Sequence, residues 1–356
     1  MLMVGLLLLV VLAVSPSPYV IRQPGPVANA LGSVGEGSQA AEVITISGHE
    51  EYPVDAGELT VMTVSVVGNP EHQLNWLELA GAWFDPASDV LPMEPYYPIG
   101  VTREQRDQET AAMMTSSQDA AVAAALTYLD YDLESQVVVA DVPEGSPAEG
   151  KLEVGDVIRA YDDHKITDFE SVKAAPITTK PVKVKVERDG KEVVVEVTPK
   201  GADDGTGTER PLLGIMVQET YDFPFEVDIS LADVGGPSAG LVFALATIDK
   251  LEPGNLTGGK SVAVTGAISP DGTVAPIGGV RQKLYAAEQT DADYFIAPAA
   301  NCAEALSKGE APGGLDVYAV TSLSEAVEVL EGNASGDTDK LRTCEEALEE
   351  GVPQAN

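Results

Sequence analysis

The turn Asp233–Gly240 constrains the fold most, because it places a serine between glycines at the start of an apolar run. Within this turn, Ser238 has the G-x-S-x-G pattern, and the apolar residues of Leu241–Leu251 that follow it predict a long helix. A serine in such a turn can simply cap the helix, or it can be a nucleophile. The remaining sequence has to distinguish these two interpretations.

The histidines limit the choice of a base for Ser238. In α/β-hydrolases, whose nucleophile elbow has this pattern, the histidine follows the serine, but His49, His72 and His164 all precede Ser238. A triad in another order remains open, because triads are defined by geometry. A lysine kept neutral by burial is the second kind of base. The lysines downstream of Ser238 are Lys250, Lys260, Lys283, Lys308 and Lys340.

Lys283 is distinguished by its surroundings. It ends the segment PIGGVRQK, residues 276–283, and an Ala-rich run that looks helical follows it. The motif GGPSAG around Ser238, the pair Thr265-Gly266 and PIGGVRQK, in this order, resemble the proteolytic domain of Lon proteases. That family uses a Ser-Lys dyad, so the resemblance implies a serine peptidase.

Carried over to this sequence, the resemblance assigns roles to five residues. Ser238 is the expected nucleophile, Lys283 the general base, and Thr265 the residue that orients the lysine. Gly236 and Pro237 shape the turn, whose backbone N–H groups are the expected oxyanion donors. The acidic residue that many Lon proteins carry three positions before the serine is replaced by a glycine.

ATP and nucleic acid are not expected as partners. Gly254–Ser261 fits the P-loop pattern, but a P-loop needs a strand before it and a helix after it, and here the order is reversed. The formal charge of −36, from 21 Lys+Arg and 57 Asp+Glu, disfavours nucleic acid. Neither a metal site nor a cofactor is predicted.

The N-terminus predicts an attachment to a membrane. Met1–Val14 contains no charged residue, so residues 1–16 are interpreted as a membrane anchor or a signal segment. The resemblance favours the anchor and implies a single-pass protein of the cell membrane, with its catalytic part outside the cytoplasm. In that compartment Cys302 and Cys344 can form a disulfide, although two free thiols remain the alternative.

A second resemblance covers the middle of the chain. Residues 137–199 alternate predicted strands with turns, and Ser146-Pro-Ala together with Leu152-Glu-Val-Gly-Asp-Val-Ile resembles a PDZ domain of the bacterial protease type. Such domains bind chain ends as an added strand. We expect the loop for the peptide carboxylate at Leu129, Asp130 and Tyr131, with Asp130 in the position of a glycine.

The expected organisation is an α+β protein with an anchor (1–16), an N-terminal α/β region (17–124), a PDZ-like domain (125–200), a Lon-type proteolytic domain (201–332) and an acidic tail (333–356). We expect the N-terminal region to belong to the proteolytic fold, which makes that domain discontinuous. Pairing of strand 58–67 with residues 224–230 would join the two parts.

The resemblance covers nearly the whole chain and is that of PDZ-containing Lon-like proteases of bacteria. It implies ATP-independent cleavage of extracytoplasmic or membrane-associated proteins, with the PDZ-like domain binding or gating substrate, and a homo-oligomeric ring of unstated size.

Two alternatives to the proteolytic function stay open. One is a non-catalytic adaptor on the same fold, and the other is a serine esterase or amidase with a histidine base.

Overall fold

The computed structural model describes residues 3–4, 11–35, 40–54, 56–98, 100–203, 209–231 and 235–355. The chain divides into two compact units. The inserted unit is Asp132–Pro224, and the flanking unit combines Met1–Tyr131 with Phe225–Asn356. The flanking unit is therefore discontinuous in sequence.

The strands and helices are numbered in chain order. The strands are β1 (Tyr19–Asn29), β2 (Ser33–Val34), β3 (Ala41–Glu42), β4 (Ile44–Ser47), β5 (Glu58–Val67), β6 (Asp89–Pro92), β7 (Glu134–Asp141), β8 (Val157–Tyr161), β9 (His164–Lys165), β10 (Val182–Arg188), β11 (Lys191–Val197), β12 (Lys200–Asp203), β13 (Glu209–Leu212), β14 (Met216–Asp222), β15 (Glu226–Ile229), β16 (Ser261–Val264), β17 (Ala267–Ile268), β18 (Val274–Ala275), β19 (Tyr294–Pro298) and β20 (Val317–Val320). The helices are α1 (Trp76–Phe84), α2 (Arg103–Tyr128), α3 (Phe169–Ala174), α4 (Gly240–Leu251), α5 (Val280–Gln289), α6 (Cys302–Ala305), α7 (Leu323–Ser335) and α8 (Cys344–Glu349).

A six-stranded mixed sheet forms the centre of the flanking unit. Its strand order is β20-β19-β16-β5-β1-β6. The strands β20, β19, β16 and β5 run parallel to one another, whereas β1 and β6 are antiparallel to their neighbours. Since β5 precedes the insertion and β16 follows it, both parts of the sequence build one sheet.

The predicted pairing of strand 58–67 with residues 224–230 is wrong. β5 pairs with β1 along residues 60–67 and with β16 at residues 58–61, and β15 is not among its partners. β15 pairs instead with β4, in the register Val227 to Ile46. This second pairing also joins sequence from before and after the insertion.

Helix α4 is buried along its whole length. All of its residues from Gly240 to Leu251 are buried, as expected for a helix whose first seven residues are all apolar. The Ala-rich half of α2, residues 121–126, is buried too, and α2 packs against α4. The segment Gly254–Ser261 connects α4 to β16, so the predicted helix-to-strand connection is confirmed.

The inserted unit is a β-rich domain with its own core. Its sheet has the order β11-β10-β8-β7-β14, and β9 pairs with β8. Inward-facing valines of β7 and β10 pack against Ile158 and Leu213. The unit extends beyond the expected end at residue 200, because β14 pairs with β7 from Asp222–Glu134 to Met216–Asp141.

A disulfide joins Cys302 to Cys344, with their Cα atoms 5.1 Å apart. Cys302 lies in α6 and Cys344 begins α8, and both side chains are fully buried. The region expected as an acidic tail therefore contains a short helix, α8, which the disulfide links to α6.

The N-terminal segment is only partly described. Residues 3–4 and 11–14 are helical, whereas residues 1–2 and 5–10 of the expected anchor lie outside the described residues. Among the residues that are described, no helix has both the length and the apolar character needed to cross a membrane.

Candidate active site

A sharp turn presents Ser238 at the start of α4. Gly236 has a φ of 84°, which favours glycine, and Pro237–Ala239 form a single 3₁₀ turn before α4. Helix α2 packs on this turn, where the Ser117 hydroxyl donates to the Pro237 carbonyl at 3.2 Å. The predicted supporting residues Gly236 and Pro237 thus lie beside the serine.

A glycine at position 235 has a steric reason. A Cβ atom on Gly235 would lie 2.2 Å from the Cγ2 atom of Thr110 on α2, so a side chain here would require Thr110 to move. The same holds for the acidic residue that many Lon proteins carry at this position. Asp233, which could stand in for it, lies outside the described residues.

Thr265 and Gly266 hold the serine turn from the other side. The Gly266 N–H donates to the Ser238 carbonyl at 3.0 Å, and the Leu241 N–H donates to the Gly266 carbonyl at 3.0 Å. The Thr265 hydroxyl also donates to the Ser238 carbonyl, at 3.1 Å. Because these bonds connect the turn to the end of β16, the central sheet fixes the serine backbone.

Helix α5 brings Lys283 to this turn. Gly279 precedes the helix with a φ of 72°, and Lys283 follows in the first turn. Its Nζ atom lies 2.7 Å from the Ser238 Oγ atom and 2.9 Å from the Thr265 Oγ1 atom. The structure therefore brings together the three residues that the motifs predicted.

Lys283 is buried, with 1% of its surface exposed. Desolvation disfavours the charged ammonium and lowers the pKa of Lys283 to about 7, although the charge of Glu304 acts in the opposite direction. A substantial fraction of this amine is therefore neutral near neutral pH. A neutral amine can accept the Ser238 proton and still donate an N–H to Thr265.

The other downstream lysines have different surroundings. Lys250 is buried, but its ammonium donates to the Glu42 carboxylate at 2.7 Å and also contacts Glu51. Although burial alone would lower it, these carboxylates raise the pKa of Lys250. Lys260 lies over the Tyr294 ring, and Lys308 and Lys340 are exposed.

None of the three histidines forms a hydrogen bond with Ser238 in the part of the chain that the structure describes. His49 is bonded to the Glu50 carbonyl and to Tyr131, His164 to the Ser171 carbonyl, and His72 is exposed. The geometry therefore gives no support to a histidine base.

A charged network that the sequence did not predict surrounds Asp89 beside the lysine helix. The Asp89 carboxylate accepts hydrogen bonds from Arg22 at 2.9 Å and from Gln282 at 2.8 Å, and Arg281 lies 3.5 Å away. Burial opposes the effect, but the bonds from Arg22 and Gln282 keep the pKa of Asp89 low. Arg281 thus pairs with a carboxylate, and a guanidinium is too basic to act as a general base.

Ser238 and Lys283 line a cavity of about 290 Å³. Its lining also includes residues 62–65 of β5, Gly235 and Gly278. A larger cavity of about 740 Å³ begins at Val66, the next residue of β5, and is lined by Tyr97, Arg106 and Thr110 among others. Space for an extended chain therefore lies along β5.

The expected carboxylate loop lies in the flanking unit. Leu129 ends α2, Asp130 has a φ of 62°, and the Tyr131 hydroxyl contacts the His49 Nε2 atom at 3.0 Å. A carboxylate loop of a PDZ domain has an apolar-Gly-apolar sequence directly before a strand. In the inserted unit this sequence is Leu213-Gly214-Ile215, directly before β14, and Gly214 has a φ of 72°. This local pattern could have located the loop from the sequence.

Two family profiles match the chain. The profile described as PDZ domain matches residues 99–198, and the one described as Lon protease (S16) C-terminal proteolytic domain matches residues 231–330. The second range contains Ser238, Thr265 and Lys283. The first contains β7 to β11 of the inserted unit and also α2 of the flanking unit.

The curated relatives share only part of their length with this chain. The archaeal Lon protease of Archaeoglobus fulgidus is 38% identical over 95 residues, which are 27% of this chain and 15% of that protein. The Lon protease of Koribacter versatilis is 32% identical over 136 residues, 37% of this chain and 16% of that protein. Among solved structures, the PDZ domain of an SdrC-like protein from Listeria innocua has 24% identity and a TM-score of 0.21, covering 23% of this chain and 92% of that one.

The buried amine predicts a pH-dependent stability. The folded-state pKa of Lys283 is lowered from 10.5 to about 7, so between these values the unfolded chain binds more protons than the folded one. The free energy of unfolding should then rise with pH in this window, by up to about 1.4 kcal/mol per pH unit from this residue. Denaturant unfolding of wild type and Lys283→Met as a function of pH measures the contribution as the difference between their slopes. Equal slopes would contradict a lowered pKa.

Proposed function

Because this chain carries a Lon-type C-terminal proteolytic domain together with a PDZ domain, we propose that it is a serine endopeptidase with a Ser-Lys dyad. The observation that carries this proposal is the 2.7 Å contact between the Lys283 Nζ and Ser238 Oγ atoms. The burial that lowers the pKa of Lys283 to about 7 makes this amine a suitable base.

In the proposed reaction, the neutral Lys283 amine takes the Ser238 proton while the Oγ atom attacks the substrate carbonyl carbon. The backbone N–H groups of Gly236 and Ser238 stabilise the oxyanion, since Pro237 between them has no N–H. The lysine then gives its proton to the leaving amine, and the acyl group stays on Ser238. Water, deprotonated by the same amine, releases the acyl group as a carboxylate and restores the serine.

We propose that substrates lie along β5, where the two cavities follow one another. The smaller cavity holds the scissile bond next to Ser238, and the larger one accepts side chains further along the peptide. Its lining combines Tyr97 and Val66 with charged residues such as Arg106 and Asp107, so it offers both apolar and ionic contacts to a peptide. The proposed substrate is an extended segment of a protein.

The proposed activity needs no ATP and operates outside the cytoplasm. In support of the first point, the only P-loop pattern that we identified, Gly254–Ser261, joins a helix to a strand and cannot cradle phosphate in the usual way. In support of the second, Cys302 and Cys344 form a disulfide, which persists in oxidising compartments. The uncharged segment Met1–Val14 supports attachment to the cell membrane.

We also propose that the inserted unit binds a peptide at β14. This strand is at the end of its sheet, with β7 as its neighbour, so a peptide can add to the other side as a further strand. Backbone N–H groups around Gly214 would receive the peptide carboxylate. The acidic side chain of Asp130 makes the originally expected loop the weaker candidate, because it would repel a carboxylate.

The dyad predicts a severe loss of activity in two variants. Ser238→Ala and Lys283→Met should each lower cleavage of casein, in the absence of nucleotide, by at least about 10³-fold. The matched control is Lys340→Met, which replaces an exposed lysine and should retain full activity. Unchanged activity in both dyad variants would contradict the proposal. Activity that survives Lys283→Met but is lost on replacing one histidine would favour a histidine base instead.

The pH profile gives a second prediction. Because the reaction needs the neutral amine, kcat/KM should rise with pH around the Lys283 pKa of about 7 and then level off.

Thr265→Val removes the oxygen that accepts an N–H from Lys283, and this acceptor stabilises the ammonium more than the amine. The variant should lower kcat about tenfold and move the midpoint to lower pH by about one unit. Thr265→Ser should restore both values, and an unmoved midpoint in Thr265→Val would count against a role in positioning the lysine.

The peptide site can be located by hydrogen exchange. In the inactive Ser238→Ala protein, an added peptide with a free C-terminal carboxylate should slow amide exchange in residues 216–222, because its backbone pairs with β14. The same peptide with an amidated end is the control and should protect these residues much less. Protection confined to residues 129–131 would return the carboxylate site to the loop first expected.

A further inference from the structure

Helix α1 has one buried face and one exposed apolar face. Leu79 and Ala82 pack against Ile21 and Leu74 in a small apolar cluster of the flanking unit. On the opposite side Leu77 is 41% exposed and Phe84 is 89% exposed, and the neighbouring Trp83 is 66% exposed. Water contact of a Phe and a Trp to this extent is unfavourable unless another surface covers them.

The exposed face carries no charge. Leu77, Ala80, Gly81 and Phe84 follow the i, i+3, i+4, i+7 spacing of a single helix face. The one acidic residue of α1, Glu78, points its carboxylate back to the Asn75 N–H at 2.8 Å, as part of the helix cap. An uncharged stripe contrasts with the formal charge of −36 on the whole chain.

The position of α1 indicates what covers this face. Pro16 pairs with Asn75, the residue that caps α1, and the Ser17 N–H donates to the Leu74 carbonyl at 2.8 Å. The uncharged N-terminal segment therefore joins the folded unit directly beside the start of α1. Its residue Val14, two positions before Pro16, is an apolar side chain that is 73% exposed.

We propose that the exposed face of α1, with Leu77 and Phe84 on it and Trp83 at its edge, rests in the interfacial layer of a lipid bilayer. Tryptophan and phenylalanine are suited to this layer, where apolar rings meet hydrated headgroups. The helix is about 13 Å long at 1.5 Å per residue, so it can lie flat beside the N-terminal segment. The net negative charge disfavours attraction to anionic lipids, and the contact is therefore an apolar one with zwitterionic lipid. This inference rests on the proposed attachment of the N-terminal segment to the membrane, and it does not depend on the proposed proteolytic chemistry.

The sequence has only two tryptophans, Trp76 and Trp83, which allows a direct test with the intact chain. In Trp76→Phe the remaining Trp83 should shift its emission to shorter wavelength with phosphatidylcholine vesicles and be quenched by brominated phosphatidylcholine. The matched control is Trp83→Phe, which keeps Trp76. That ring packs edge-on against Tyr19 at 5.9 Å and should respond much less. Phe84→Ser should weaken vesicle binding about tenfold.

Three results would overturn the proposal. One is vesicle binding without a response of Trp83, since the N-terminal segment alone would then make the contact. Another is the absence of vesicle binding. The third is a Trp83 shift that appears without lipid and grows with protein concentration, which would assign the face to a second copy of the chain.

Should Trp76→Phe fold poorly, Phe84→Cys with an environment-sensitive dye gives the same readout, because both native cysteines are bonded to each other.

Discussion

The hydrogen bond between the Lys283 amine and the Ser238 hydroxyl depends on keeping a lysine buried, and much of the flanking unit is arranged around that requirement. A buried ammonium is costly, so the folded state favours the neutral amine. The amine is nevertheless not left without polar contacts, since Ser238 and Thr265 both lie within 2.9 Å of it. Because these two residues come from the start of α4 and the end of β16, the packing of α4, α5 and the sheet sets their separation.

Charged groups close to Lys283 are arranged so that they disturb this balance little. Arg281 and Gln282 precede the lysine on α5, yet both are bonded to Asp89, which Arg22 also neutralises. The negative charge of Glu304 favours the ammonium, but burial raises the pKa of Glu304 itself and Arg22 lies 3.2 Å away from it. Pairing of opposite charges thus leaves desolvation as the main influence on the lysine.

Sequence alone predicted the parts of the site that reside in short motifs, and missed those that depend on distant contacts. Ser238, Thr265 and Lys283 each stand in a recognisable local pattern, and the apolar helix α4 could be inferred from its composition. The Asp89 network joins residues up to 282 positions apart, and no local pattern encodes such contacts. The pairing of β4 with β15 was missed for the same reason. β14 was also missed because its partner is distant in sequence, since it pairs with β7 and Thr220 bonds to Gln136, 84 positions away.

Contacts within the flanking unit hold together the two chain positions between which the inserted unit begins and ends. Tyr131 precedes the insertion and Phe225 follows it, and their rings meet at 5.6 Å in an edge-on contact. His49 completes the cluster, since its ring lies 4.5 Å from Phe225 and its Nε2 atom contacts the Tyr131 hydroxyl. The two ends of the insertion are therefore held close together by residues of the flanking unit itself. A domain inserted between adjacent ends does not have to supply core residues to its host. The host sheet can then be completed by β5 and β16 without it, and the dyad is assembled from flanking-unit residues alone.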